Sequence, residues 1–274
     1  MFFFSSSVLY GTITKDWSQG RIPEDTKPDY SAITEVKGAT GINARVENLK
    51  IENSRVYAVT FRGNNVLNAY RVYILNSRGT DYTSNSDGFV AGAGSEINDC
   101  YIDTWDDAVK LYYNNITVKN TTIVHNKNGA PFQLGWGTKP SLSATINNVK
   151  VTDAIGSSTS NQALFCYGGA TGTCATTVNV TKLVAPNYSE SALMNMNGGV
   201  KKTLPLVSFK STTNGCSFKM VGQNNQDFKG SAAAAWQNNA NVSVKADKVC
   251  NNNLGVNLAS SYSCATAVGC TWKL

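Results

Sequence analysis

Three aspartates in this 274-residue chain have the residue type and spacing that could do chemistry. Asp87 stands in Asn85-Ser86-Asp87-Gly88. Asp106 and Asp107 stand side by side in Asp103-Thr104-Trp105-Asp106-Asp107-Ala108-Val109-Lys110. Asp87 and Asp106 are 19 residues apart. If that interval is one turn of a stacked chain, the three carboxyls fall into one patch, at about the 4.8 Å spacing of neighbouring strands. Like charges at that range repel and raise at least one pKa. Glycoside hydrolysis uses such a set, with one carboxyl kept protonated as general acid and another ionised as general base. Successive strand residues point to opposite faces, so Asp106 and Asp107 can share a cleft only where the chain bends, at a strand end or bulge. The plainer reading is an Asp-Gly turn and a solvated Asp-Asp loop or calcium ligand set.

The neighbours favour the catalytic reading. Trp105 flanks the pair, and Lys110, Tyr112 and Tyr113 follow it. One coil further come His125 and then Gln133-Leu134-Gly135-Trp136. Aromatic faces, amides, Lys and His are the groups that stack on sugars and hydrogen-bond to them. Singly, each is ordinary. Their recurrence at coil intervals beside the acids marks Trp105, Lys110, Tyr112, Tyr113, His125, Gln133 and Trp136 as expected substrate contacts.

The elements that must position these residues appear as a recurring phrase. Val46-Glu47-Asn48-Leu49-Lys50-Ile51 places apolar groups at its first, fourth and sixth positions. The phrase returns starting at Ala69, Ile97, Val118 and Ile146, and more weakly at Val180, at intervals of 23, 28, 21, 28 and 34 residues. Irregular steps around one coil length characterise a solenoid, whose strands keep register while its loops vary. The fourth and sixth positions should share the interior face. Cys100 then fills an interior slot as a packed, unreactive thiol. The expected fold is all-β, a right-handed parallel β-helix. A sandwich would show turn signals every 8–12 residues between matched alternating strands, and a propeller would show longer, more regular repeats. The β-helix is expected over residues 1–205, with 206–274 forming a last coil, at Leu206–Phe209, and a disulfide-rich cap. Ser231–Trp236 is too short to stand alone as a helix.

Composition narrows the function classes. The net charge of +6 is spread along the chain, without the clustered Lys and Arg of a nucleic-acid binder. No apolar run is long enough to span a membrane. There is no CxxC pair and His125 is the only histidine, so neither a metal nor a cofactor is expected. Of seven cysteines, Cys100 stands apart and six lie between Cys166 and Cys270. Cys166 with Cys174, Cys264 with Cys270 and Cys216 with Cys250 form one of the fifteen possible pairings. Such a set implies an oxidising compartment and hence secretion. Sequons at Asn115, Asn120, Asn179, Asn187 and Asn241 are compatible with it. Met1–Tyr10 begins apolar but lacks a basic leader and a cleavage site, and reads as the interior of a longer protein.

At Ser86-Asp87-Gly88, Asp106–Tyr113 and Gln133–Trp136 the sequence resembles glycoside hydrolase family 49, the dextranases and isopullulanases, over roughly residues 60 to 155. The resemblance implies Asp106 as general acid, with Asp87 and Asp107 activating water. It also implies inversion at the anomeric carbon, and subsites shaped by Lys110, Tyr112, Gln133 and Trp136. The substrate would be a dextran-like α-glucan, cut by a monomer with no nucleic acid or membrane partner. Members of that family carry an amino-terminal sandwich for which this chain has no room. The related family 28 polygalacturonases share an Asp plus Asp-Asp set. They also show a Gly-His-Gly and an Arg-x-Lys clamp for the uronate, where this chain has Val124-His125-Asn126 and no downstream Arg-x-Lys. A β-helix that binds glycan without cutting it is the non-enzymatic alternative.

Overall fold

A computed structural model of the chain describes residues 7–10, 31–54, 57–75, 86–125, 129–136, 142–152, 164–168, 175–185, 207–209, 217–221, 234–236 and 243–246. Every regular element among them is a β-strand, and the strands pair in parallel into long ladders. This is the parallel β-helix that the phrase predicts. The ladder that carries the site runs through Ser31–Thr34, Tyr57–Thr60, Asp87–Val90, Val109–Lys110, Phe132–Trp136, Phe165–Gly168, Val207–Phe209 and Ala234–Trp236. The other strands form a second ladder, with one branch on each side of a corner.

The intervals read from the phrase are the register of the solenoid. Val46 pairs with Ala69, Ala69 with Ile97, Ile97 with Val118, Val118 with Ile146, and Ile146 with Val180. The fourth and sixth positions do face inward. In the sixth slot Ile51, Ile74, Ile102, Ile123 and Val151 stack in register, all buried. The phrase itself is a strand, a corner and a second strand. Its third residue (Asn48, Arg71, Asp99, Asn120 or Asn148) has φ between 50 and 56°. Asn and Asp tolerate this left-handed conformation better than other non-glycine residues, and that explains the polar residue in the middle of an apolar phrase. Arg71 is the exception, and its guanidinium lies 4.5 Å from the ring of Tyr70.

The site ladder contributes its own inward column of Val59, Phe89, Val109, Phe132 and Phe165, each fully buried, with the last two rings stacked at 5.0 Å. Cys100 is a free, buried thiol. Burial raises its pKa to about 11, and it donates to the Asn98 carbonyl. It is packed and protonated, as its slot in the phrase requires. Parallel pairing continues past residue 200: Val207–Phe209 adds a coil, Ala234–Trp236 is a strand rather than a helix, and Ser243–Ala246 extends the second ladder. Cys174, Cys216, Cys250, Cys264 and Cys270 lie outside the described residues, whereas Cys166 is buried in the site ladder.

Each coil buries its apolar face only against its neighbours, so the sixth-slot stack should dominate stability. Truncating Ile102→Ala should cost about 2–5 kcal/mol. Tyr73→Ala, on an exposed position, should stay within about 0.5 kcal/mol. Urea denaturation midpoints measure both.

Candidate active site

Asp87 opens its strand, one coil below the corner that carries Asp106 and Asp107 between Tyr101–Thr104 and Val109–Lys110. The two adjacent aspartates thus sit where the chain bends, as their joint use requires. Backbone bonds lock the stacking. Asp106 N donates to the Ser86 carbonyl at 3.2 Å, and Gly88 N donates to the Asp107 carbonyl at 2.8 Å. The buried Ser86 hydroxyl also accepts from Trp105 N at 3.1 Å. One oxygen from each of the three carboxyls lies within 4.8 Å of the others.

Two glycines permit this closeness. A Cβ on Gly88 would stand 2.2 Å from the Ala108 carbonyl oxygen. One on Gly129, from the next coil, would stand 1.8 Å from the Asp106 carbonyl carbon. Gly88 is therefore no turn residue here; it lies within a strand and lets the next coil approach.

Lys110 organises the charges. Its ammonium is 3.1 Å from Asp87 Oδ1 and 3.0 Å from Asp107 Oδ2, with all three groups buried. Burial alone would lower the lysine's pKa, but the charges of Asp87 and Asp107 push it well above the ordinary value. Asp107 is met by further donors: Ala130 N at 3.0 Å and Gln133 Nε2 at 3.4 Å. Asp87 also accepts from Asp107 N at 3.1 Å. Desolvation nevertheless raises Asp87 to about 7, opposed by Lys110 and reinforced by the charge of Asp107. Asp106 differs from both. It is partly exposed and has no cation partner among the described residues, and its pKa is raised by desolvation and then by the charges of Asp87 and Asp107. Of the three carboxyls it is the one with partial exposure. The trio has the oxygens to attract a divalent cation, but the Lys110 ammonium already supplies positive charge between two of them.

The expected substrate contacts separate into groups. Trp105 is half-buried beside the acids, and the Tyr112 ring lies 5.7 Å from Lys110 Nζ. Gln133 is fully buried and reaches Asp107, which makes it a support for the acid. His125 is not placed to touch a sugar. It is buried, with Nε2 2.6 Å from the Gly129 carbonyl oxygen, next to the Ala130 N–H that donates to Asp107. Tyr113 packs against the hydrophobic core. Trp136 is a strand residue paired with Gly168, and its side chain lies outside the described set. The structure adds Tyr57, paired in register with Asp87 and with its ring 5.4 Å from Lys110 Nζ. The signal for it was weak: Tyr57-Ala58-Val59 aligns with Asp87-Gly88-Phe89 only through a small residue between two large ones.

The sequence profile of the glycosyl hydrolases family 28 matches residues 14–181, more than half of the chain. This chain belongs to that family. It has the family's parallel β-helix. A dextranase of Arthrobacter sp. (strain CB-8) is 32% identical over 68 residues, covering 25% of this chain and 10% of that protein. A dextranase of Arthrobacter globiformis is 31% identical over the same length, with the same coverage. The aligned stretch spans a tenth of the length of these curated relatives. No solved structure matches significantly. The dextranase likeness and the kinship with family 28 are thus both found.

Removing the lysine charge tests how the site sorts its protons. Lys110→Met leaves Asp87 and Asp107 uncompensated and should cost about 3–5 kcal/mol at neutral pH. The loss should shrink as pH falls and the carboxylates take up protons. A base role for Asp87 would require its ionised form, which Lys110 favours by lowering its pKa, so the acidic limb of any pH–activity profile should then move to higher pH. Denaturation and kcat/KM across a pH series give both readings.

Proposed function

We propose that the chain is a secreted, monomeric hydrolase of dextran-like α-glucan, which cleaves with inversion. Asp106 is its general acid, and Asp87 and Asp107 position and activate water. The observation that carries this reading is the division of labour among the three carboxyls. The partly exposed one, without a cation partner among the described residues, has its pKa raised by desolvation and by the charges of Asp87 and Asp107, while the two buried ones share an ammonium. Asp106 donates a proton to the departing glycosidic oxygen. A water held by oxygens of Asp87 and Asp107 attacks from the opposite face and gives up its proton to them. Inverting enzymes usually hold their two carboxyls about 6.5–9.5 Å apart to admit the water between them. Here the nearest oxygens lie within 4.8 Å, so the water is cradled beside the pair instead. Three carboxyls, two of them tethered together, suit that cradle better than a covalent nucleophile.

The dextranase likeness supports an α-glucan, as does the lack of an Arg-x-Lys downstream of the acids. Kinship with family 28 supports polygalacturonate as the second reading. Reducing-sugar release from dextran, pullulan and polygalacturonate separates the two, and release from none of them points to a glycan binder. The anomer first released from dextran, read by proton NMR, should be β; an α product would overturn inversion.

Asp106→Asn should lower turnover roughly 10²–10⁴-fold, the usual contribution of general acid assistance. The same variant should be more stable at pH 7. The raised folded-state pKa of Asp106 means that the folded carboxyl binds its proton more tightly than the unfolded one, so wild-type stability falls as pH rises above the unfolded value of 3.8. A thermal melt should therefore move up by a few degrees at pH 7, and less at pH 4.

A further inference from the structure

Tyr57 lies one strand beyond Asp87 toward the amino terminus, a step of about 4.8 Å, comparable to one pyranose ring. The half-buried Tyr57 ring has the Lys110 ammonium 5.4 Å from its centre. The Arg62 guanidinium lies 6.0 Å from the same centre. Lys110 is consumed by Asp87 and Asp107. Arg62 is different: it is half-buried, and among the described residues no carboxylate pairs with it. A guanidinium presents a rigid fork of five donors, which matches a pair of neighbouring oxygens. The ring beside it is a flat face on which a sugar can stack. The charges of Asp87, Asp106, Lys110 and Arg62 all act on the Tyr57 hydroxyl, so one local field joins this pair to the reaction centre.

We propose that Tyr57 and Arg62 form a sugar-binding subsite on the amino-terminal side of the acids, the ring stacking on one glucosyl unit and the guanidinium bridging its hydroxyls. The choice of a glucosyl unit rests on the α-glucan reading.

The test is a series of isomalto-oligosaccharides of increasing length, with kcat/KM measured for wild type, Arg62→Ala, Tyr57→Ala and Tyr57→Phe. Wild type should gain in kcat/KM at the length that first reaches the subsite. Arg62→Ala should lose roughly tenfold of that gain, the value of a hydrogen bond to a charged group, with the shorter substrates unchanged. Tyr57→Phe should keep the gain and Tyr57→Ala should lose it. Equal losses at every length would show a merely structural role and overturn the proposal, as would no loss at any length. If wild type cuts no isomalto-oligosaccharide but does cut oligogalacturonides, the glucan reading fails. The same length series on oligogalacturonides then decides the subsite by the same criteria.

Discussion

The ammonium of Lys110 reaches two carboxylates that lie one coil apart, and the rest of the site is arranged around that contact. Burying three charges together is costly, and it is tolerated because the attraction acts in a medium that screens it poorly. The contact also breaks the symmetry of the trio. Two aspartates have a counter-ion and a set of donors, while the third has the other two as unfavourable neighbours. On the proposed mechanism, acid and base roles follow from which carboxyls the lysine can reach.

Reaching both carboxylates depends on how closely the coils approach. Gly88 and Gly129 remove the Cβ atoms that would collide with the backbone of the neighbouring acidic corner. Behind them the aromatic column of Phe89, Phe132 and Phe165 fills the interior of the same ladder. His125 is buried on the carbonyl of Gly129, next to the Ala130 N–H that donates to Asp107. Of the three carboxyls, only Asp106 is partly exposed.

Much of this was legible in the sequence because the solenoid converts sequence interval into spatial neighbourhood. The apolar phrase carried the register, since an inward column tolerates only one alignment of its coils. The interval between Asp87 and Asp106 then placed the carboxyls together. Roles were harder to read. His125 and Gln133 have the side chains of sugar contacts, but both are buried, the first on the Gly129 carbonyl and the second on Asp107. Residue type cannot distinguish a group that touches substrate from one that supports its neighbour. Tyr57 was missed for the converse reason: it precedes Asp87 by a long coil and carries no acid or amide to draw notice. The bend at Asp106 and Asp107 was foreseeable only as a condition, because local composition does not say where a wall of the solenoid ends.

The left-handed residue in the middle of each phrase has a consequence for how such a protein can change over evolutionary time. Asn48, Asp99, Asn120 and Asn148 turn the chain within a single residue, so the corner they make has a fixed length. Coils of 21 and of 34 residues nevertheless stack in the same ladder, and their extra residues are accommodated elsewhere. Insertions and deletions are thereby steered away from that edge and toward the segments between the other strands. A lineage can lengthen or trim those segments, and with them the shape of what it grips, while the acids and their lysine stay in register.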